Sequence, residues 1–73
     1  MWFVCKIHNN SLGNSFLVPS IEAGIEEIKK MAIEQFGREL YNYEIEEAEN
    51  DYELYNNDDM DNIYSFSLGQ LEN

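Results

Sequence analysis

Residues 19–37 read PSIEAGIEEIKKMAIEQFG, a helix with both of its ends written in the sequence. Pro19 cannot donate to a sheet ladder, and Ser20 behind it is a good N-cap. Ile21, Ile25, Ile28, Ala32 and Phe36 recur at steps of four, three, four and four, giving one apolar stripe, and Gly37 supplies the natural left-handed stop. Glu26 precedes Lys30 by four on the outer face, a pairing worth a few tenths of a kcal/mol. Gly24 costs about 1 kcal/mol against alanine inside a helix, so its place on this one points to close approach to a sheet.

Working back from Pro19, Trp2 to His8 alternates Phe3, Cys5 and Ile7 with Trp2, Val4, Lys6 and His8, the period of a half-buried strand. Asn9 to Asn14 carries turn residues, and Ser15 to Val18 returns as a short strand, so the first eighteen residues predict a hairpin. Phe3 and Ile7 are expected on the core side with Phe16 and Phe66. Trp2 and Val4 are expected on the outer face of an edge strand, where they suit a homodimer contact. Cys5 reads as a small buried hydrophobe.

Working forward, Tyr41, Ile45, Ala48 and Tyr52 step by four, three and four, predicting a short helix over about Asn42 to Asn50 capped by Asn42. Tyr52 to Tyr55 reads as a strand, Asn56 to Asn62 as an acidic turn, and Ile63 to Leu68 as a last strand with Tyr64, Phe66 and Leu68 on one face. The expected fold is a single α+β domain over residues 1–73. Its order is ββααββ, with a four-stranded antiparallel sheet and one long and one short helix packed on one face.

The 73 residues fit one domain, and the hydrophobic share of 44% and aromatic share of 14% are too rich for a disordered chain despite a net charge of -11. No apolar run reaches the roughly 18 residues of a membrane span, and Met1 to Cys5 lack a basic leader, so a cytoplasmic protein without membrane contact is expected. Catalytic motifs are absent. His8 has no partner at metal-ligand spacing, the glycines form no phosphate loop, and no serine sits in a nucleophile elbow. Asn57, Asp59 and Asp61 alternate like the opening of a calcium loop, but Asn62 replaces the required glycine and Leu68 the bidentate acid. The expectation is a non-enzymatic protein without metal or cofactor.

Charge is the informative feature. Residues 1–38 hold four acids and four bases, whereas residues 39–73 hold eleven acids and no base. The most common reason for such a run is solubility. Two features point further. Glu44, Glu47 and Asp51 are expected on one helix face, where like charges repel, and Tyr43, Tyr52 and Tyr55 interleave with the acids, as tyrosines do at interfaces. The candidate partner-binding residues are therefore Tyr43, Glu44, Glu46, Glu47, Glu49, Asp51, Glu53, Tyr55, Asp58, Asp59 and Asp61. Phosphates would be repelled from such a surface, so nucleic acid is not the expected partner; a basic protein that binds nucleic acid is.

In this general character, centred on the acids from Glu44 to Asp61, the chain resembles the small DNA-mimicking inhibitors of phages and mobile elements. These include anti-CRISPR proteins, anti-restriction proteins and uracil-DNA glycosylase inhibitors. The resemblance rests on no family motif, and the neutral first half departs from it. It implies occupation of the nucleic-acid or PAM-binding groove of a Cas effector or another DNA-processing enzyme, by a monomer or homodimer. An antitoxin or adaptor module docking through the same face is the alternative.

Overall fold

A computed structural model describes residues 1–9, 11–56 and 61–70, and shows a mixed α+β fold. The elements are β1 (Trp2–His8), β2 (Ser11–Val18), α1 (Ile21–Phe36), α2 (Asn42–Asp51), β3 (Glu53–Tyr55) and β4 (Tyr64–Gln70). Among the described residues the strands form one antiparallel sheet in the order β2-β1-β4-β3. Val4, Val18, Leu54 and Phe66 of the four strands share a core with Ile28 and Ala32 of α1 and Ala48 of α2, so both helices cover the same face. No helix among the described residues is long and apolar enough to cross a membrane.

The details differ from the sequence expectation in several places. β2 begins at Ser11 rather than Ser15, because the register slips between Cys5↔Ser15 and Ile7↔Leu12. A bulge therefore inserts an extra residue opposite Lys6 and lets the turn segment pair. Gly13 lies at this bulge, where an added Cβ would stand 3.1 Å from the Lys6 carbonyl oxygen. β4 runs on to Gln70, and β1 is a central strand, not an edge.

The larger correction concerns which face of β1 is buried. Val4 is fully buried and Trp2 packs against the core, while Phe3, Cys5 and Ile7 lie on the sheet face that the helices leave open. Alternation fixes two sides but not their assignment. Phe3 recovers part of its burial there by lying over Gly69 of β4, its register partner, where an added Cβ would come within 2.6 Å of the ring. Cys5 is only partly buried, with its thiol 3.6 Å from the Ser15 hydroxyl.

Helix α1 is bounded as its sequence dictates. The Ser20 hydroxyl accepts the Ala23 N–H at 3.2 Å, and Gly37, at φ 70°, donates its N–H to the Ile33 carbonyl. Gly24, Ile28 and Ala32 form its buried row, and Phe36 meets Phe66 edge to face at 6.2 Å. Ile21 and Ile25, assigned to the same stripe, are only half-buried and lie outside the core cluster. At Gly24 an added Cβ would collide with Leu68 Cδ1, so the missing side chain is what lets α1 approach β4. At the far end of β1 His8 stacks on Tyr64 at 4.3 Å and meets Asn62 Oδ1 at 3.2 Å, while Asn9 exchanges backbone and side-chain bonds with Ile63.

Candidate functional site

The acids cluster on α2 because its sequence, NYEIEEAEND, offers few apolar residues to bury. Ala48 is buried and Ile45 half-buried; the third inward position is taken by a charge. Glu44 is 1% exposed, and its carboxylate accepts from Arg38 Nη1 at 2.8 Å, Arg38 Nη2 at 3.2 Å and the Tyr41 N–H at 2.8 Å. That last bond makes Tyr41 the N-cap, with Glu44 at the third helical position reaching back to it. Asn42, expected as the cap, is the first helical residue. The Arg38 guanidinium is also stacked 4.1 Å over the Tyr41 ring and 5.3 Å from Phe36. Burial alone would push the Glu44 carboxyl upward, but the Arg38 bonds, the Tyr41 N–H and the Arg38 charge outweigh it and hold the group below its ordinary value.

Glu44 is thus a structural anion rather than a partner-binding one. It does not share an exposed face with Glu47 and Asp51. Glu49 is also partly engaged within the fold, its carboxylate 2.6 Å from Lys29 Nζ on α1, with Glu26 3.8 Å from the same nitrogen. The Glu49 bond is the main reason that the Lys29 amine is raised above its ordinary value.

The outward row is different. Tyr43, Glu46, Glu47, Asn50 and Asp51 surround a shallow open hollow on α2, with Tyr43 55% exposed at one end. Glu47 is half-buried between this row and β3, where the Tyr55 hydroxyl donates to it. Burial raises the Glu47 carboxyl, and Asp51, Glu53 and Glu44 raise it further against the opposing Tyr55 bond. The same carboxylate holds the Tyr55 hydroxyl above its usual value. Glu53, Tyr55 and Asp61 are exposed, with Glu53 and Tyr55 on the open side of β3. Asp58 and Asp59 lie outside the described residues, as do Asn57 and Asp59 of the calcium-like spacing. Among the described residues no three His, Cys, Asp or Glu side chains come together to hold a metal ion.

Sequence reasoning passed over Asn50, Arg38 and Lys29. The position of Glu44 three residues inside a helix start is a capping signature and was the available sign of its inward role. Nothing local pairs Lys29 with Glu49, twenty residues later.

The strain at Glu47 has a measurable consequence. A carboxyl raised in the folded state favours folding below its unfolded value of about 4.5, and that contribution is lost as pH rises through the folded value. Glu47→Gln, which can still accept from Tyr55, is expected to raise stability at pH 7 by a few tenths of a kcal/mol. The gain should vanish below about pH 4. Urea melts at both pH values check this; an unchanged or lower neutral midpoint would contradict the assignment.

No protein-family model, curated protein or solved structure matches the chain.

Proposed function

We propose that the chain is a non-catalytic inhibitor whose α2–β3 carboxylates occupy the Lys/Arg groove of a nucleic-acid-binding enzyme, a Cas effector or another DNA-processing protein. The observation that carries this reading is the outward row of α2. Glu46, Glu47 and Asp51 are arrayed around Tyr43 and Asn50 on a helix whose charge no base within residues 39–73 offsets. Helical neighbours three and four residues apart stand about 5–6 Å from each other, so these carboxylates form a closely spaced anionic row, and an exposed tyrosine adds apolar contact area with a polar tip. Complementary charge then steers association and fixes orientation.

The test follows from the division between spent and outward carboxylates. A partner is first captured from a host lysate on the immobilised chain. Glu46→Gln with Asp51→Asn should then lower the association rate about 3- to 10-fold and flatten its salt dependence. Glu22→Gln with Glu34→Gln, exposed acids of α1, should leave both unchanged. Duplex DNA should displace the wild-type chain, and affinity should fall between about 50 and 200 mM salt. Salt-insensitive binding that persists alongside bound DNA would refute the mimicry.

A further inference from the structure

Among the described residues the strand order leaves β2 and β3 as the two lateral edges of the sheet. Monomeric proteins blunt such edges with short strands, charges, prolines or bulges, because an open row of N–H and C=O groups recruits another strand. β3 is blunted: it has three residues, one of them Glu53. β2 is not. It has eight residues and no charged side chain, with Pro19 only beyond its end. The bulge opposite Lys6 interrupts its first half and leaves Ser15–Val18 as a regular open stretch.

We propose that Phe16–Val18 pairs antiparallel with the same stretch of a second copy, joining two sheets into one across a two-fold axis. Two observations select a second copy. The first is register. Directly opposed residues of an antiparallel pair share a face, so in a self-pairing their numbers must sum to an even value. An axis through Leu17 satisfies this and sets Leu17 against its own copy on the open face and Phe16 against Val18 on the helix-covered face. Both pairings are apolar, and Leu17 is 57% exposed in the single chain.

The second observation is where the charge lies. At a net charge of -11 two copies repel, yet all of that excess belongs to residues 39–73. Within that half, α2 packs on β3 at the far edge. With strands about 4.8 Å apart, pairing through β2 places the two β3 edges about 34 Å from each other, several times the Debye length of about 8 Å at physiological salt. The half of the chain beside the seam sums to zero charge. This association is independent of the inhibitory reading and leaves both acidic faces open.

Sedimentation equilibrium on the 73-residue chain provides the test. Between about 5 and 500 µM the wild-type mass should rise from 8.6 kDa toward twice that value. Leu17→Lys, at a position exposed in the single chain, should keep the wild-type circular dichroism and remain at 8.6 kDa throughout. Hydrogen exchange should show alternate amides of Phe16–Val18 slowed about 10-fold or more at the higher concentration, with β3 unaffected. A wild-type chain that stays at 8.6 kDa overturns the proposal, including one whose β2 amides are protected only by a host protein. So does a Leu17→Lys variant that associates like wild type, or concentration-dependent protection confined to β3.

Discussion

Phe66→Ala is expected to abolish cooperative unfolding at 25 °C. Phe66 is fully buried in β4, opposed by Lys6 of β1 on one side and Leu54 of β3 on the other. Its ring meets Phe36 edge to face at 6.2 Å and stacks with Tyr64 at 6.4 Å, so it joins the sheet to α1 near the middle of the core. Truncation of such a phenylalanine costs about 3–5 kcal/mol, the lost transfer energy plus the unfilled cavity. A core in a domain of this size rarely supplies more than about 3–5 kcal/mol in total. The variant should therefore lose its near-ultraviolet signal and show no urea transition. Phe66→Leu, which keeps most of the volume, should fold with a loss of about 1.5 kcal/mol. Phe3→Ala provides the contrast, because Phe3 is only half-buried and lies on the open face over Gly69. It should cost less than Phe66→Ala. Equal midpoints for Phe66→Ala and wild type, or a costlier Phe3→Ala, would contradict this account of the core.

That contrast marks the limit of what the sequence made legible. The ends of α1 follow from Ser20 and Gly37, whose effects are local, and the structure keeps both. Which side of β1 is buried depends on where the helices pack, and Phe3, Cys5, Ile7 against Trp2, Val4 is nearly balanced in hydrophobicity. Tertiary context decides it, through the close approach of α1 to Leu68 at Gly24 and the flat seat that Gly69 offers to Phe3. The candidate site divides in the same way. Composition locates the acids on one half of the chain, and helical spacing puts Glu44, Glu47 and Asp51 on one face, of which the structure keeps Asp51 exposed, Glu47 half-buried and Glu44 buried. The inward turn of Glu44 required Arg38, which stands before the helix and lies outside any helical periodicity. Tyr52 is a further case: it closes α2 in the left-handed region at φ 59°, a conformation that a tyrosine rarely adopts and that its side chain does not advertise. Its carbonyl accepts the Leu68 N–H at 2.8 Å, and its ring meets Trp2 edge to face at 6.5 Å, so the cap is held by the sheet it precedes.

Arg38→Ala should be the most damaging change among the charged residues, and its effect should depend on pH in a way that a packing loss does not. Glu44 is enclosed with its side chain 2% exposed, whereas Arg38 is 26% exposed, so the pair is half sheltered. Removing one partner of a fully buried pair costs about 3–5 kcal/mol because a charge is left uncompensated, and water reaching Arg38 reduces this to about 2–4 kcal/mol. The sign with pH follows from the direction of the Glu44 shift. A carboxyl held below its ordinary value stabilises the fold above its unfolded value of about 4.5, and the contribution is lost as pH falls through the lower folded value. Without Arg38 the burial of the carboxyl remains and only the Tyr41 N–H opposes it, so the group should turn upward. In the variant, acid should then relieve the buried charge instead of breaking a favourable pair. The stability difference between wild type and Arg38→Ala should be largest near pH 7 and shrink toward pH 3. Arg38→Lys separates charge from geometry: one ammonium can meet one carboxylate oxygen but cannot reproduce both guanidinium bonds or the stacking on Tyr41, so it should recover only part of the loss. Urea unfolding of the three proteins at pH 7 and pH 3 reads these differences directly. A loss for Arg38→Ala that is the same at both pH values would assign Arg38 a packing role alone and contradict its pairing as the cause of the lowered Glu44 carboxyl.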